Sequence, residues 1–137
     1  MIQPIFTYCG TLSLCFSDSR KSLIKNIERR SAVIIGEDQN LPSVESLINR
    51  KCCQFVKDCL QNNVCTPFKN YFELSSHSRQ TRNNGIAVKL PKVRLEFGRK
   101  SIYFQGAKLY NTLPTDIRST SSKLIFKSKL KDFFLDN

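Results

Sequence analysis

The sequence predicts a mainly α protein, a small helical domain with one short β-hairpin near residues 92–104. The chain of 137 residues fits a single domain, and its 40% hydrophobic content is enough to form a core. Apolar side chains recur with helical spacing in several stretches. One central stretch alternates instead between apolar and polar residues, which is typical of a strand.

The N-terminal half, residues 1–68, is predicted to be helical. Ser19 could cap a helix that runs to Ile35 and stops at Gly36. A second helix begins at Ser43, and its i, i+3, i+4 spacing is the clearest helical pattern in the chain. The predicted apolar face of this second helix comprises Val44, Leu47, Ile48, Cys52, Phe55, Val56, Cys59 and Leu60.

A basic loop and the hairpin follow in the centre of the chain. We expect a short helix at Phe68–Leu74 and then an exposed basic loop at 75–86, because that stretch is polar and rich in turn formers. Residues 87–104 are predicted to form the hairpin, with Gly98 in its turn. Its two faces would carry Val93, Leu95 and Phe97 on one side and Lys92, Arg94 and Glu96 on the other.

Residues 105–137 are predicted to form the C-terminal helices. One helix covers 106–113, and a single turn follows at 114–118 because proline breaks the helix. Ser121 or Ser122 can cap a last helix whose phenylalanines are spaced for packing. We therefore expect Phe126, Leu130, Phe133 and Phe134 to belong to the core rather than to a base-stacking surface.

Positive charge is concentrated in one segment of the chain. The net charge is +11, and residues 69–110 alone contain nine basic and two acidic side chains, a balance of +7. A clustered positive field favours polyanions, of which nucleic acid is the commonest. The alternative is a solvated surface that happens to be basic.

We predict that the cations of this segment bind nucleic acid by neutralising phosphates. The ligand could be RNA, DNA or a hybrid of the two. Interleaved aromatic residues, Tyr103, Phe104 and Tyr110, could stack on unpaired bases or form the core of the hairpin. The predicted nucleic-acid-binding residues are Arg79, Arg82, Lys89, Lys92, Arg94, Arg99, Lys100 and Lys108.

No catalytic residue, metal ligand or cofactor site is predicted. The cysteine spacings do not give the close Cys-x(2–4)-Cys pair of structural zinc sites, and Cys52 and Cys59 fall on an apolar helix face. The lone histidine, His77, lies in the predicted loop without an orienting carboxylate. Clustered carboxylates for Mg²⁺ and a glycine-rich phosphate loop are also missing from the sequence.

The N-terminus does not have the pattern of a signal peptide. Residues 1–16 are moderately apolar, but polar residues, Pro4 and Gly10 interrupt them and no basic residue precedes them. No stretch approaches the roughly 20 apolar residues that span a bilayer. We expect an intracellular chain, nuclear or cytoplasmic and not secreted, without a membrane partner and with its cysteines reduced.

Several short strings occur in a specific order between residues 4 and 135. They are PIFTYC at 4–9, IERRSAVIIG at 27–36, TRNN at 81–84, LPKVR at 90–94, GRKS at 98–101, GAKLYNTLP at 106–114, IR at 117–118 and FK at 126–127. Together they resemble the region after the polymerase domain in non-LTR (LINE-type, jockey-like) retrotransposon reverse transcriptases. Two tryptophans typical of that family are replaced here by Ser13 and Tyr110.

The resemblance implies a non-catalytic, thumb-proximal fragment of an RNA-directed DNA polymerase from a mobile element. The parent would use Mg²⁺ in a palm domain, expected upstream of Met1, and this upstream polymerase domain would be a partner. The role of gripping template RNA or RNA/DNA hybrid would fall by residue match on Arg82, Lys92, Arg94, Arg99 and Lys100.

The sequence is also compatible with two alternatives. One is a protein-interaction module, in which an N-terminal apolar patch seeks a partner. That patch would comprise Ile5, Phe6, Leu12, Leu14 and Phe16. The other is a non-functional relic of a decayed element, which would fold poorly and lack a cooperative thermal transition.

Overall fold

The computed structural model describes residues 10, 15–36, 42–75 and 86–135, and it is mainly helical, as predicted. The described helices are α1 (Asp18–Ile35), α2 (Val44–Leu60), α3 (Glu96–Arg99), α4 (Ile102–Thr112), α5 (Thr115–Arg118) and α6 (Lys123–Leu135). Helix α2 packs against α4 and α6, α5 packs on α6, α1 lies against α2, and α3 lies against α4. None of the helices in these ranges is both long and apolar enough to cross a bilayer.

Helix α2 forms the centre of the core, as its apolar spacing predicts. The Ser43 hydroxyl accepts a hydrogen bond from the Ser46 amide at 3.1 Å and so satisfies one of the free amides at the start of the helix. The helix ends before Asn62, which adopts a left-handed φ of 55°. Its buried face consists of Val44, Ile48, Cys52, Cys53, Val56 and Cys59, which confirms the predicted burial of Cys52 and Cys59.

Helix α4 crosses close to α2 because a glycine lies at the contact. A Cβ added to Gly106 would lie 3.2 Å from Val56 Cγ2 and 3.4 Å from Cys52 Sγ. Ala107 and Tyr110 are also buried, and Tyr110 packs against Phe126 of α6 with ring centroids 6.4 Å apart. Helices α2, α4 and α6 therefore share one core.

The C-terminal region contains the predicted single turn and the predicted last helix, whereas the helix expected at 106–113 begins earlier, at Ile102. Helix α5 is the predicted single turn, and Phe126 and Leu130 of α6 are buried. Phe133 and Phe134 are half-buried and pack against the core. Lys123 at the start of α6 forms an ion pair of 2.8 Å with Asp58 of α2, which links the two helices.

Helix α1 has nearly the predicted bounds, but its apolar face is not buried. Ser17, rather than Ser19, occupies the N-cap position, and Gly36 ends the helix with a φ of 90°. No residue of α1 is buried, and its side chains at Leu23, Ile27 and Ile34 are 61%, 44% and 84% exposed. The helix is held to α2 by polar contacts, which include a 2.8 Å hydrogen bond from the Val44 amide to Glu28.

The predicted β-hairpin is wrong. No strand occurs in the described residues, and the stretch that was expected to form it is an extended segment followed by α3 and α4. Leu95 and Phe97 are 74% and 87% exposed, so the period-two alternation does not mark a buried face. The Ser101 hydroxyl accepts from the Phe104 amide and caps α4, and this starts a helix where a second strand was expected.

The predicted helix at Phe68–Leu74 is also wrong. Only Thr66–Phe68 forms a 3₁₀ turn, and Asn70 then adopts a left-handed φ of 62° that ends the helical path. Leu74 forms an isolated antiparallel bridge with Val88. The predicted basic loop between them lies almost wholly at 76–85, outside the described residues.

An asparagine side chain completes this bridge. Asn111 of α4 accepts a hydrogen bond from the Val88 amide at 2.8 Å and donates one to the Val88 carbonyl at 2.8 Å. Both backbone polar groups of the buried Val88 are therefore satisfied. These bonds attach the segment that leads to residues 91–95 directly to α4.

We expect Leu130→Ala to lower the free energy of unfolding by about 2–5 kcal/mol, because it leaves a cavity in the core. Leu124→Ala on the same helix is the matched control, since Leu130 is 0% and Leu124 79% exposed. The control should change stability by about 0.5 kcal/mol or less. Urea unfolding followed by circular dichroism measures both, and equal effects would contradict the placement of α6.

Candidate nucleic-acid interface

An open groove of about 640 Å³ lies between the extended segment at residues 91–95, helix α3 and the first half of helix α4. Its walls combine basic side chains with an aromatic ring and a side-chain amide. The lining residues are Pro91, Lys92, Val93, Arg94, Glu96, Arg99, Phe104, Gln105 and Lys108.

Two hydrogen bonds from side chains to backbone carbonyls and one close contact build the groove. A Cβ on Gly98 would lie 3.1 Å from Val93 Cγ1, so the glycine allows α3 to lie directly on the extended segment. The Ser101 hydroxyl donates to the Gly98 carbonyl at 2.7 Å, and Gln105 Nε2 donates to the Arg99 carbonyl at 2.7 Å. These bonds fix the turn from α3 into α4.

Four of the predicted site residues line this groove. Lys92, Arg94, Arg99 and Lys108 are exposed, and none of them forms an ion pair in the part of the chain that the structure describes. The one acidic residue among the lining residues, Glu96, pairs with Lys100 at 4.0 Å instead. The groove therefore presents four cations without a carboxylate partner in the described structure, and such a positive field favours an anionic ligand.

The remaining predicted cations do not belong to the groove. Lys89 pairs with Glu73 at 3.4 Å and Lys100 with Glu96, and neither lysine lines the walls. Both pairs are exposed ion pairs of small energetic value. Arg79 and Arg82 lie outside the described residues.

The aromatic residues of this region divide between the core and the groove. Tyr110 is buried, and burial raises the pKa of its hydroxyl to about 12. Tyr103 is half-buried and packs on Tyr71 and Phe72, with ring centroids 4.9 and 5.6 Å away. Of the three aromatic residues that were expected here, only Phe104 lines the groove.

Sequence reasoning missed two residues of this region, Gln105 and Phe97. Gln105 joins the two helices through its bond to Arg99 and also lines the groove. Phe97 was assigned to the face of a strand, although its ring is 87% exposed on α3. The signal that could have found both is the Ser101 cap, since a helix that starts there excludes the hairpin.

Three of the thiols, those of Cys52, Cys53 and Cys59, form part of the core. Burial raises the pKa of Cys52 to about 12, that of Cys53 well above its usual value and that of Cys59 to about 11. Cys15 and Cys65 are exposed. Within the described ranges, no group of three histidine, cysteine or acidic residues is placed to hold a metal ion. His77 is outside those ranges.

Comparisons with protein-family models, with curated proteins and with solved structures find no match for this chain. The resemblance to retrotransposon reverse transcriptases therefore stays a prediction from the short strings of the sequence.

We expect the free energy of unfolding to fall as the pH rises from about 9 toward 11. The folded state favours the neutral thiols of Cys52 and Cys59, whose pKa values lie above the ordinary value of 9.0, whereas the unfolded chain releases those protons. The free energy of unfolding does not change below about pH 9 through these thiols, and its loss grows as the pH rises to about 11. Urea unfolding at pH 8 and at pH 10.5 measures it, and Cys52→Ala should weaken the pH dependence. An unchanged dependence in that variant would contradict the assignment.

Proposed function

We propose that this chain is a non-catalytic nucleic-acid-binding region that grips template RNA or an RNA/DNA hybrid through the groove. In this proposal it is the C-terminal region of a retrotransposon RNA-directed DNA polymerase, and the palm of the parent protein performs the copying reaction. The single observation that carries the binding proposal is the set of four groove cations without a carboxylate partner in the described structure.

The electrostatics of the groove supply affinity rather than base readout. Lys92, Arg94, Arg99 and Lys108 would each neutralise a backbone phosphate and release condensed counterions. Four such contacts predict that log K falls with log salt at a slope of about −3 to −4. Contacts to phosphates carry no sequence information directly, so this part of the site would tolerate any base sequence.

The resemblance to reverse transcriptases supports the identity of the parent. Three of the strings that carry it, LPKVR, GRKS and GAKLYNTLP, include or adjoin the groove-lining residues. We propose in addition that the chain acts inside the cell, in the nucleus or the cytoplasm, where both RNA and its DNA copy occur.

A charge-reversed variant tests the proposal. We expect Lys92→Glu, Arg94→Glu and Arg99→Glu together to abolish most binding to a labelled RNA and to reduce the salt slope to about −1, since one cation remains. The matched control reverses three exposed lysines of α6, Lys127, Lys129 and Lys131, with the same change in net charge. Fluorescence anisotropy at several salt concentrations measures both variants, with circular dichroism to verify the fold.

The control distinguishes binding at the groove from binding that depends only on the net charge of the chain. If the α6 variant loses as much affinity as the groove variant, binding depends on net charge alone and the groove proposal fails. Tight binding by the groove variant would exclude the proposal directly.

The exposed face of α1 favours a second candidate function, a protein-interaction module. Leu23, Ile27 and Ile34 form a stripe at spacings of four and seven residues, and they stay exposed although α1 lies against α2. Arg20 and Arg30 flank this stripe on the same helix, which favours a partner surface that is apolar with acidic surroundings. In this candidate the stripe packs on a partner protein, such as the polymerase domain of the parent.

We expect Ile27→Lys combined with Ile34→Lys to improve solubility without lowering the thermal midpoint, because neither side chain belongs to the core. Light scattering over a concentration series detects self-association of the wild-type chain through the stripe, and the double variant should remain monomeric. A large loss of thermal stability in the variant would show that the stripe is packed within the chain itself.

A further inference from the structure

Phe97 is the most exposed large apolar side chain in the described structure, with 87% of its surface accessible. It lies on α3 between Glu96 and Arg99, two of the groove-lining residues, and its own ring is not part of the groove wall. Leu95 just before α3 is 74% exposed, so the apolar surface beside the groove extends over both residues. No packing among the described residues explains an exposed ring at this position.

We propose that Phe97 is a stacking platform for an unpaired nucleobase and that the ligand of the groove is therefore a single-stranded nucleic acid. This inference rests on the proposed function, because the groove cations would hold the phosphates of the same strand. In this proposal Phe97 is the residue that selects a single strand over a duplex.

The position of the ring suits this role. Hydrogen bonds of 3.2 Å from the Arg99 amide to the Leu95 carbonyl and from the Lys100 amide to the Glu96 carbonyl hold α3 in shape. The contact of Gly98 with Val93 fixes the helix on the extended segment. The ring is thus presented by an ordered backbone, and only its two side-chain torsions need to be fixed when a base stacks on it.

The neighbouring charges favour nucleic acid over an apolar protein surface. Arg94 and Arg99 lie within three residues of Phe97 in the sequence and line the groove without an ion pair in the described chain. A protein that covered the ring with apolar side chains would have to desolvate these guanidinium groups, which is costly without partners. A single strand instead supplies a base for the ring and phosphates for the arginines.

A duplex does not offer the same contact. Its bases are stacked on one another, so their faces are inaccessible to a side chain except at the ends. The groove cations can contact the phosphates of either form, whereas Phe97 can stack only on an unpaired base. Affinity for single strands should therefore depend on Phe97, and affinity for duplexes should not.

Tryptophan substitution gives a direct reading of stacking, because the chain contains no tryptophan. We expect the emission of Phe97→Trp to be quenched when a pyrimidine 12-mer RNA is added and to change little with a blunt duplex RNA of the same strand length. Leu124→Trp, at a position that is 79% exposed on α6, is the control and should show no quenching. Equal emission changes with both RNAs in Phe97→Trp would overturn the proposal.

Affinities measured by anisotropy complete the test. Phe97→Ala and Phe97→Leu should each lose about tenfold to a hundredfold in affinity for the single strand, while duplex affinity and the salt slope stay the same. Full affinity in Phe97→Leu would overturn stacking, because it would show that any apolar side chain suffices. A wild-type chain that binds neither RNA, nor an RNA/DNA hybrid of the same length, would refute the proposed function itself, whereas normal binding that is insensitive to Phe97 would refute this inference alone.

Discussion

The close packing of α4 and α6 on the buried face of α2 is the constraint on which the rest of the structure depends. Cys52, Cys53 and Val56 are completely excluded from solvent, and the missing side chain of Gly106 lets the α4 backbone approach them. Small thiols in this position act as compact apolar groups rather than as ligands or nucleophiles. Because α4 is fixed in this way, its outward face is fixed too, and that face forms one wall of the groove.

Neutral interactions give the groove its shape, and charged side chains line it. Its shape comes from the Ser101 cap, the bond of Gln105 to the Arg99 carbonyl and the contact of Gly98 with Val93. None of these depends on the sign or number of the cations around it, and the four groove cations have no carboxylate partner in the described structure. Under the proposed function such a site would be preorganised for the phosphates of its ligand, since the groove would need little rearrangement on binding.

The sequence was sufficient to predict the elements whose apolar residues face the core, and insufficient elsewhere. Helix α2 and helix α6 follow from their periodicity because burial and pattern coincide there. The hairpin prediction failed because an apolar and polar alternation also arises by chance in an exposed segment, where no burial enforces it. Charge clustering in the sequence identified the groove cations. It could not separate Lys92 and Arg94, which have no carboxylate partner in the described structure, from Lys89 and Lys100, which each have one. That separation depends on which carboxylates lie nearby in space, through Glu73 and Glu96.

The side chain of Asn111 also has a consequence for how copies of this chain meet one another. A two-residue bridge normally leaves backbone donors and acceptors on its outer side, where another extended chain could add and continue a sheet. At Val88 those groups are already occupied by the amide of Asn111, which imitates the neighbouring strand with a single side chain. At Val88 the bridge to Leu74 therefore has no free backbone donor or acceptor. Another chain cannot add to the bridge at Val88 to extend a β-sheet.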